Sequence, residues 1–125
     1  MGYRGQMETL IRQSGAEARH MGHSYVGSVH LLLALCQMSG GTAQLLRSFG
    51  IEPEFLRQLT MLCYGVGRPE MPLPQGLTRA ARRILRQAAV EARRQGRREV
   101  RPAHVLLAMA REEQGGATME DLHPY

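Results

Sequence analysis

The chain contains no lysine and no tryptophan, and every one of its sixteen basic residues is arginine. Without lysine there is no P-loop, whose glycine-rich turn needs that side chain to reach the phosphates. There is also no lysine to form a Schiff base. Aromatic residues are scarce, with two Phe and four Tyr, so Leu, Ala, Met and Val must fill the core of this 125-residue chain. That length and a hydrophobic fraction of 43% suit one globular domain. No apolar run approaches the ~20 residues that span a bilayer, and Met1–Glu8 lacks the charged and apolar regions of a secretory signal. The expectation is a cytoplasmic protein. Its two cysteines, Cys36 and Cys63, are then expected to be reduced, buried thiols.

What the chain does have is a repeat. Shifted by 74 positions, residues 10–43 fall on residues 84–117 without a gap, and thirteen of the 34 pairs are identical. The matches include Glu17/Glu91, Gly22/Gly96, Val26/Val100, His30/His104 and Gly41/Gly115. Helical composition alone would scatter Ala, Leu and Arg coincidences, but it would not align Gly, His and Gly at fixed intervals. Such a duplication predicts a pseudo-symmetric scaffold of helical units, an architecture that binds more often than it catalyses.

Apolar spacing predicts a first helix over 8–21, with Leu10, Ile11, Ser14, Ala18 and Met21 on one face and Gly22 as its terminating glycine. A second helix, 29–38, is apolar nearly all round through Leu31–Leu35 and reads as buried. Thr42 is expected to cap a short third helix ending at Phe49. Pro53 opens a fourth helix to Tyr64, with Phe55, Leu56, Leu59, Leu62 and Cys63 facing inward. Residues 65–76, with three Pro and three Gly, form a linker. Thr78 then caps a long helix to about Gln95, with Ala81, Ile84, Leu85, Ala88 and Ala92 as its stripe, and Gly96 ends it. Pro102 starts a further helix carrying Val105, Leu106, Leu107 and Met109. Residues 117–125 keep a remnant of a third helix, with Met119 and Leu122 as core contacts. No strand is evident. The second unit lacks its fourth helix, which should expose part of the Leu106/Met109 face. A second copy covering it, giving a homodimer, or a chain cut from a longer protein would account for that.

The phrase from Glu17 to Leu35, E-A-R-H-M-G-H-S-Y-V-G-S-V-H-L-L-L-A-L, is followed by Gly40-Gly41. Its second copy, from Glu91 to Met109, keeps the frame with Arg97 in place of the histidine after glycine. Over roughly residues 8–117 the chain resembles the Clp N-terminal repeat domain of ClpA, ClpB and ClpC, the ring-forming AAA+ unfoldases. The resemblance implies an all-α, pseudo-twofold bundle of duplicated four-helix units, with the second repeat truncated at its C-terminus. It implies a single domain over 1–125: repeat 1 about 8–64, linker 65–76, and a partial repeat 2 about 77–125. It also implies a non-catalytic substrate- or adaptor-docking module of the Clp chaperone and protease system, serving protein quality control as a fragment or a stand-alone protein. The expected partners are protein substrates, adaptors and Clp ATPase ring subunits. No ATPase motif stands in this chain, although a full-length relative would be an ATPase subunit. ClpC-type domains bind phosphoarginine through a Thr at the start of each repeat's first helix and a Glu before each histidine. Here Thr78 matches, the first Thr aligns with Arg4, and the Glu positions hold Val29 and Ala103. Pro102-Ala103-His104 looks closer to the ClpB style.

The chemistry-bearing residues are few. His30 and His104 read as buried, neutral imidazoles bonding backbone groups, with Gly22 and Gly96 as structural companions. His20 and His23, separated by Gly22, read as solvated or packing residues. No cofactor or metal is expected, since no cysteine or carboxylate lies at ligand spacing from these histidines. Ser14 and Ser39 do not stand out as part of a nucleophile–base pair. The charge of +5 is unevenly placed: nine arginines against Glu91 and Glu99 lie between Leu77 and Arg101. Arg79, Arg82, Arg83, Arg86, Arg93, Arg94 and Arg97 share one helix face. That face reads as solvated, as a surface for an acidic protein partner or, in the alternative reading, as a nucleic-acid-binding helix over Arg79–Arg98. No membrane partner is expected.

Overall fold

In the computed structural model, which describes residues 5–65 and 76–115, the apolar run Leu31–Leu35 becomes the axis of the molecule. Six helices surround or form that axis: α1 (Gln6–His20), α2 (Ser28–Gln37), α3 (Gly41–Ser48), α4 (Pro53–Tyr64), α5 (Arg79–Arg94) and α6 (Pro102–Gly115). The chain is all-α, with one isolated parallel bridge, Val26 to Leu77, among the described residues. Helix α2 touches each of the other five helices, so its side chains meet protein on every side. Leu31, Leu33, Ala34, Leu35 and Cys36 are fully buried.

The two repeats share one core rather than building two. Met7 and Leu10 of α1, Leu31 and Leu35 of α2, Ile84 and Leu85 of α5, and Val105 and Ala108 of α6 form a single cluster. The strip Gly76–Thr78 joins the second repeat to the first. Val26 N–H donates to the Gly76 carbonyl at 2.8 Å, and Thr78 N–H donates to the Val26 carbonyl at 2.9 Å. Thr78 then caps α5, its Oγ1 accepting from Ala81 N–H at 3.1 Å.

Gly22 and Gly96 end α1 and α5 in the left-handed conformation, at φ 74° and 72°. The residue after each glycine closes a six-residue loop back onto the helix, His23 N–H to Ala18 O and Arg97 N–H to Ala92 O. These are matching Schellman ends, and they set the angle at which each connector leaves its helix.

Three expectations are corrected. Helix α3 starts at Gly41 with Gly40 as its N-cap, so Thr42 lies inside the first turn and caps nothing. Phe55, Leu59, Leu62 and Cys63 of α4 face solvent, and Leu56 is only half-buried. The face turned inward carries Leu56, Arg57, Thr60 and Met61, because Arg57 must reach a buried carboxylate on α1. Cys63 is therefore an exposed thiol, whereas Cys36 is buried as expected. Leu106 and Met109 are partly buried, packed against the core where α6 lies on α5 and also meets α1, α2 and α3. Arg4, the linker positions 66–75 and the remnant with Met119 and Leu122 lie outside the described residues.

Gly96 has room for a Cβ, with nothing within 4 Å of it, so its constraint is purely its positive φ. Gly96→Ala is expected to lower unfolding free energy by about 1 kcal/mol, and Gly96→Asn by clearly less. Urea denaturation of the two variants checks this; equal losses would mean that left-handed backbone strain is not the reason for the glycine.

Candidate docking surface

The identical residues of the repeat build its internal joints. At the start of α2, Gly27 N–H donates to His30 Nδ1 at 2.9 Å, the reciprocal half of a capping box with histidine in the place of Glu or Gln. With Nδ1 accepting, the neutral ring carries its proton on Nε2, 2.9 Å from His23 Nδ1. His23 must then carry its own proton on Nε2, which donates to the Gly65 carbonyl at 3.0 Å. One directed chain thus ties the start of α2, the connector after α1 and the end of α4. Burial, reinforced by His23, pushes His30 down to about 4, with Glu17 opposing weakly. The second repeat repeats half of this joint. Arg101 N–H donates to His104 Nδ1 at 2.9 Å, and the opposite nitrogen meets Gln95 Oε1 at 3.0 Å. His104 is also shifted down, by burial and by Arg97 and Arg101.

A second joint surrounds each repeated glutamate. Burial raises the Glu17 carboxyl. Hydrogen bonds from Arg57 and Gln37 outweigh it and hold the group below its ordinary value. Arg57 Nε and Nη2 donate to the two Glu17 oxygens at 3.0 Å each, and Gln37 Nε2 donates at 2.6 Å. In the second repeat, Gln87 donates to Glu91 at 2.9 Å and holds it low, with Arg111 and Arg94 adding attraction. Arg111 aligns with Gln37 under the 74-residue shift. The charge that α4 brings to Glu17 is thus supplied to Glu91 from within α6.

The outer surface holds three features. First, the starts of α1, α3 and α6 converge on a recess of about 490 Å³ lined by Gln6, Met38, Thr42, Leu45, Arg101 and Ala103, among others. Three helix N-termini and one guanidinium make it electropositive. Second, α3 and α4 expose large apolar side chains, among them Leu45, which also lines that recess. Phe49 is 74% exposed and Leu62 85% exposed, with Phe55 and Leu59 between them in sequence. Third, α5 presents arginine to solvent.

The sequence-predicted site residues are not gathered into one pocket. Ala103 lines the recess, but Thr78 does not, and its hydroxyl already caps α5. Val29 is half-buried at the start of α2. Neither glutamate position supplies a carboxylate, so a guanidinium ligand has no fork partner there. Arg83 pairs with Glu112 at 3.2 Å and Arg94 with Glu91 at 3.7 Å, which removes both from the free arginine face. Arg79, Arg82, Arg86 and Arg93 are exposed as expected. No group of three metal-ligating side chains occurs among the described residues. Ser14 Oγ donates to the Leu10 carbonyl at 2.7 Å inside the core. Sequence reasoning missed the His23–His30 contact and the outward apolar face of α4. The histidine seven residues before His30 was the available signal for the first.

These features define a duplicated helical domain whose polar residues are spent on internal joints and whose surface is apolar and basic. Residues 3–120 match the Clp repeat (R) N-terminal domain family, and the chain belongs to that family. It is 33% identical over 109 residues to the chloroplastic chaperone protein ClpC2 of Arabidopsis thaliana, covering 86% of this chain and 11% of that protein. It is 32% identical over the same length to a ClpA homolog of Guillardia theta, 13% of which is covered. The chain thus spans a small N-terminal-domain-sized fraction of these relatives. Among solved structures, the N-terminal domain of ClpD from Arabidopsis thaliana superposes with a TM-score of 0.72 at 17% identity, over 98% of this chain and 86% of that one. A structure described as part of a malarial protein secretion system gives 0.73 at 16% identity, over 96% and 84%. The Clp N-domain is a non-catalytic domain.

Two outcomes are expected. His30 loses its proton affinity on folding, so the unfolded chain binds more protons between the ordinary 6.5 and about 4. Stability is therefore full above pH 6.5 and falls as pH drops toward 4, by at most about 3 kcal/mol from this residue. Melting temperature against pH should show that fall, flattened in His30→Gln; an unchanged slope would remove the histidine chain as its cause. Glu17, whose folded value lies below 4.5, adds loss only at lower pH. Separately, Arg57→Ala leaves a buried carboxylate unpaired and should destabilise by about 2–3 kcal/mol. In the Glu17→Gln background that loss should shrink by more than about 1 kcal/mol; additive losses in a double-mutant cycle would show the two side chains to be uncoupled.

Proposed function

We propose that this domain is a docking module for protein substrates or adaptors of the Clp chaperone and protease system, working in the cytoplasm. The observation that supports it best is the exposed apolar stretch of Leu45, Phe49, Phe55, Leu59 and Leu62 on α3 and α4. Side chains of this size are normally buried, and their exposure on two successive helices favours contact with an apolar polypeptide segment. Leu45 also lines the recess at the three helix starts, so a segment covering Leu45 would meet an electropositive end. The internal joints hold this surface without contributing reactive groups to it. Carried at the head of a Clp ATPase or standing alone, the domain would capture polypeptide and leave the ATP-driven work to other modules.

The test is binding of a permanently unfolded, carboxymethylated protein by fluorescence anisotropy. Phe49→Ser/Leu62→Ser should weaken it by about tenfold or more, since each removed side chain carries roughly 1–2 kcal/mol of burial. Both positions are solvent-exposed, so the folded state should keep its circular dichroism and melting temperature. Unchanged affinity in a folded double variant would remove this face from the reading.

A further inference from the structure

The arginine face of α5 is not used by the apolar docking surface. Ala80, Ala81, Ile84, Leu85, Ala88 and Ala92 turn one side of this helix into the core. The opposite side carries Arg79, Arg82, Arg86 and Arg93, all exposed, and Arg97 and Arg98, also exposed, follow beyond the Gln95–Gly96 turn. Positions 79, 86 and 93 repeat every seven residues, so they lie along one line of about 21 Å at 1.5 Å per residue. Arg83 and Arg94 are satisfied by Glu112 and Glu91, and Arg82 donates to the Leu77 carbonyl at 2.8 Å. Arg79, Arg86, Arg93, Arg97 and Arg98 have no side-chain hydrogen bond or ion pair among the described residues. The molecule thus sorts its arginines: some close internal joints, and Arg79, Arg86 and Arg93 lie along one ridge without a partner among the described residues.

We propose that this ridge docks an acidic polypeptide segment of a partner protein. Each guanidinium offers a planar fork that takes a carboxylate through two parallel hydrogen bonds, which a lysine row would not do. Two features of the ridge favour a protein over nucleic acid. No Phe, Tyr or Trp occurs anywhere in residues 76–115, so no base has an aromatic platform to stack on. The amide side chains that could read base edges are already engaged, Gln87 with Glu91 and Gln95 with His104. The inference rests on the docking reading only in taking the partner to be a protein; the surface and its chemistry are separate from the apolar face.

The experiment measures binding of a fluorescein-labelled glutamate oligomer long enough to span the ridge, at physiological ionic strength. R79E/R86E/R93E should weaken it by about tenfold or more. The charge-matched control R12E/R19E/R47E, on α1 and α3, should change it by less than about twofold. Equal losses in both variants would show that net charge alone attracts the oligomer, and absence of binding to the unaltered domain would overturn the proposal outright. Tighter binding of an equally charged DNA duplex, with a steeper salt dependence, would overturn it in favour of nucleic acid. The carboxymethylated client is measured on the unaltered domain as well. Client binding by the unaltered domain without oligomer binding rejects the ridge and spares the docking reading. The reverse pattern rejects the apolar face alone.

Discussion

The chain of hydrogen bonds from Gly27 N–H through His30 and His23 to the Gly65 carbonyl is the joint on which the first repeat depends. Each ring supplies one donor and one acceptor, and each is used in a fixed direction. A second proton on His30 would set its Nδ1–H against the Gly27 N–H in a buried place. The chain fixes where α2 begins and where α4 ends. Since α2 meets every other helix, an error at its start would be carried through the whole core.

The duplication explains which parts of the fold are symmetric and which are not. The glycine ends of α1 and α5 and the histidine caps of α2 and α6 are local devices, closed by residues near in sequence, and both copies keep them. The surroundings of the glutamates are long-range devices, and there the copies diverge. Glu17 is neutralised by Arg57 from α4, Glu91 by Arg111 from α6. A buried carboxylate needs a cation wherever one can be brought, and the second repeat draws its cation from a helix already in place.

The same constraint shapes the outer surface. By turning Arg57 and Thr60 inward, α4 turns Phe55, Leu59 and Leu62 outward, so the ion pair that stabilises the first repeat also exposes its apolar side chains. Helix α5 makes the opposite arrangement, with small apolar residues against the core and arginine outside. The domain therefore offers two chemically different surfaces, one apolar and one basic, on a frame whose polar interior is closed.

The all-α class, the duplicated frame, the glycine helix ends, the Thr78 cap and the burial of α2 were all legible in the residue order. Each follows from local backbone chemistry or from a periodic pattern that neighbouring residues complete. The neutral, backbone-bonded character of His30 was also legible, because a histidine three residues into an apolar helix has few other uses. The orientation of α4 was set by long-range packing. Its apolar residues are numerous enough to suggest an inward stripe, but the position of Glu17, 40 residues earlier in the chain, selects the Arg57 face instead. The pairing of His23 with His30 was missed although they lie only seven residues apart, since it depends on how the connector after α1 folds back against the start of α2.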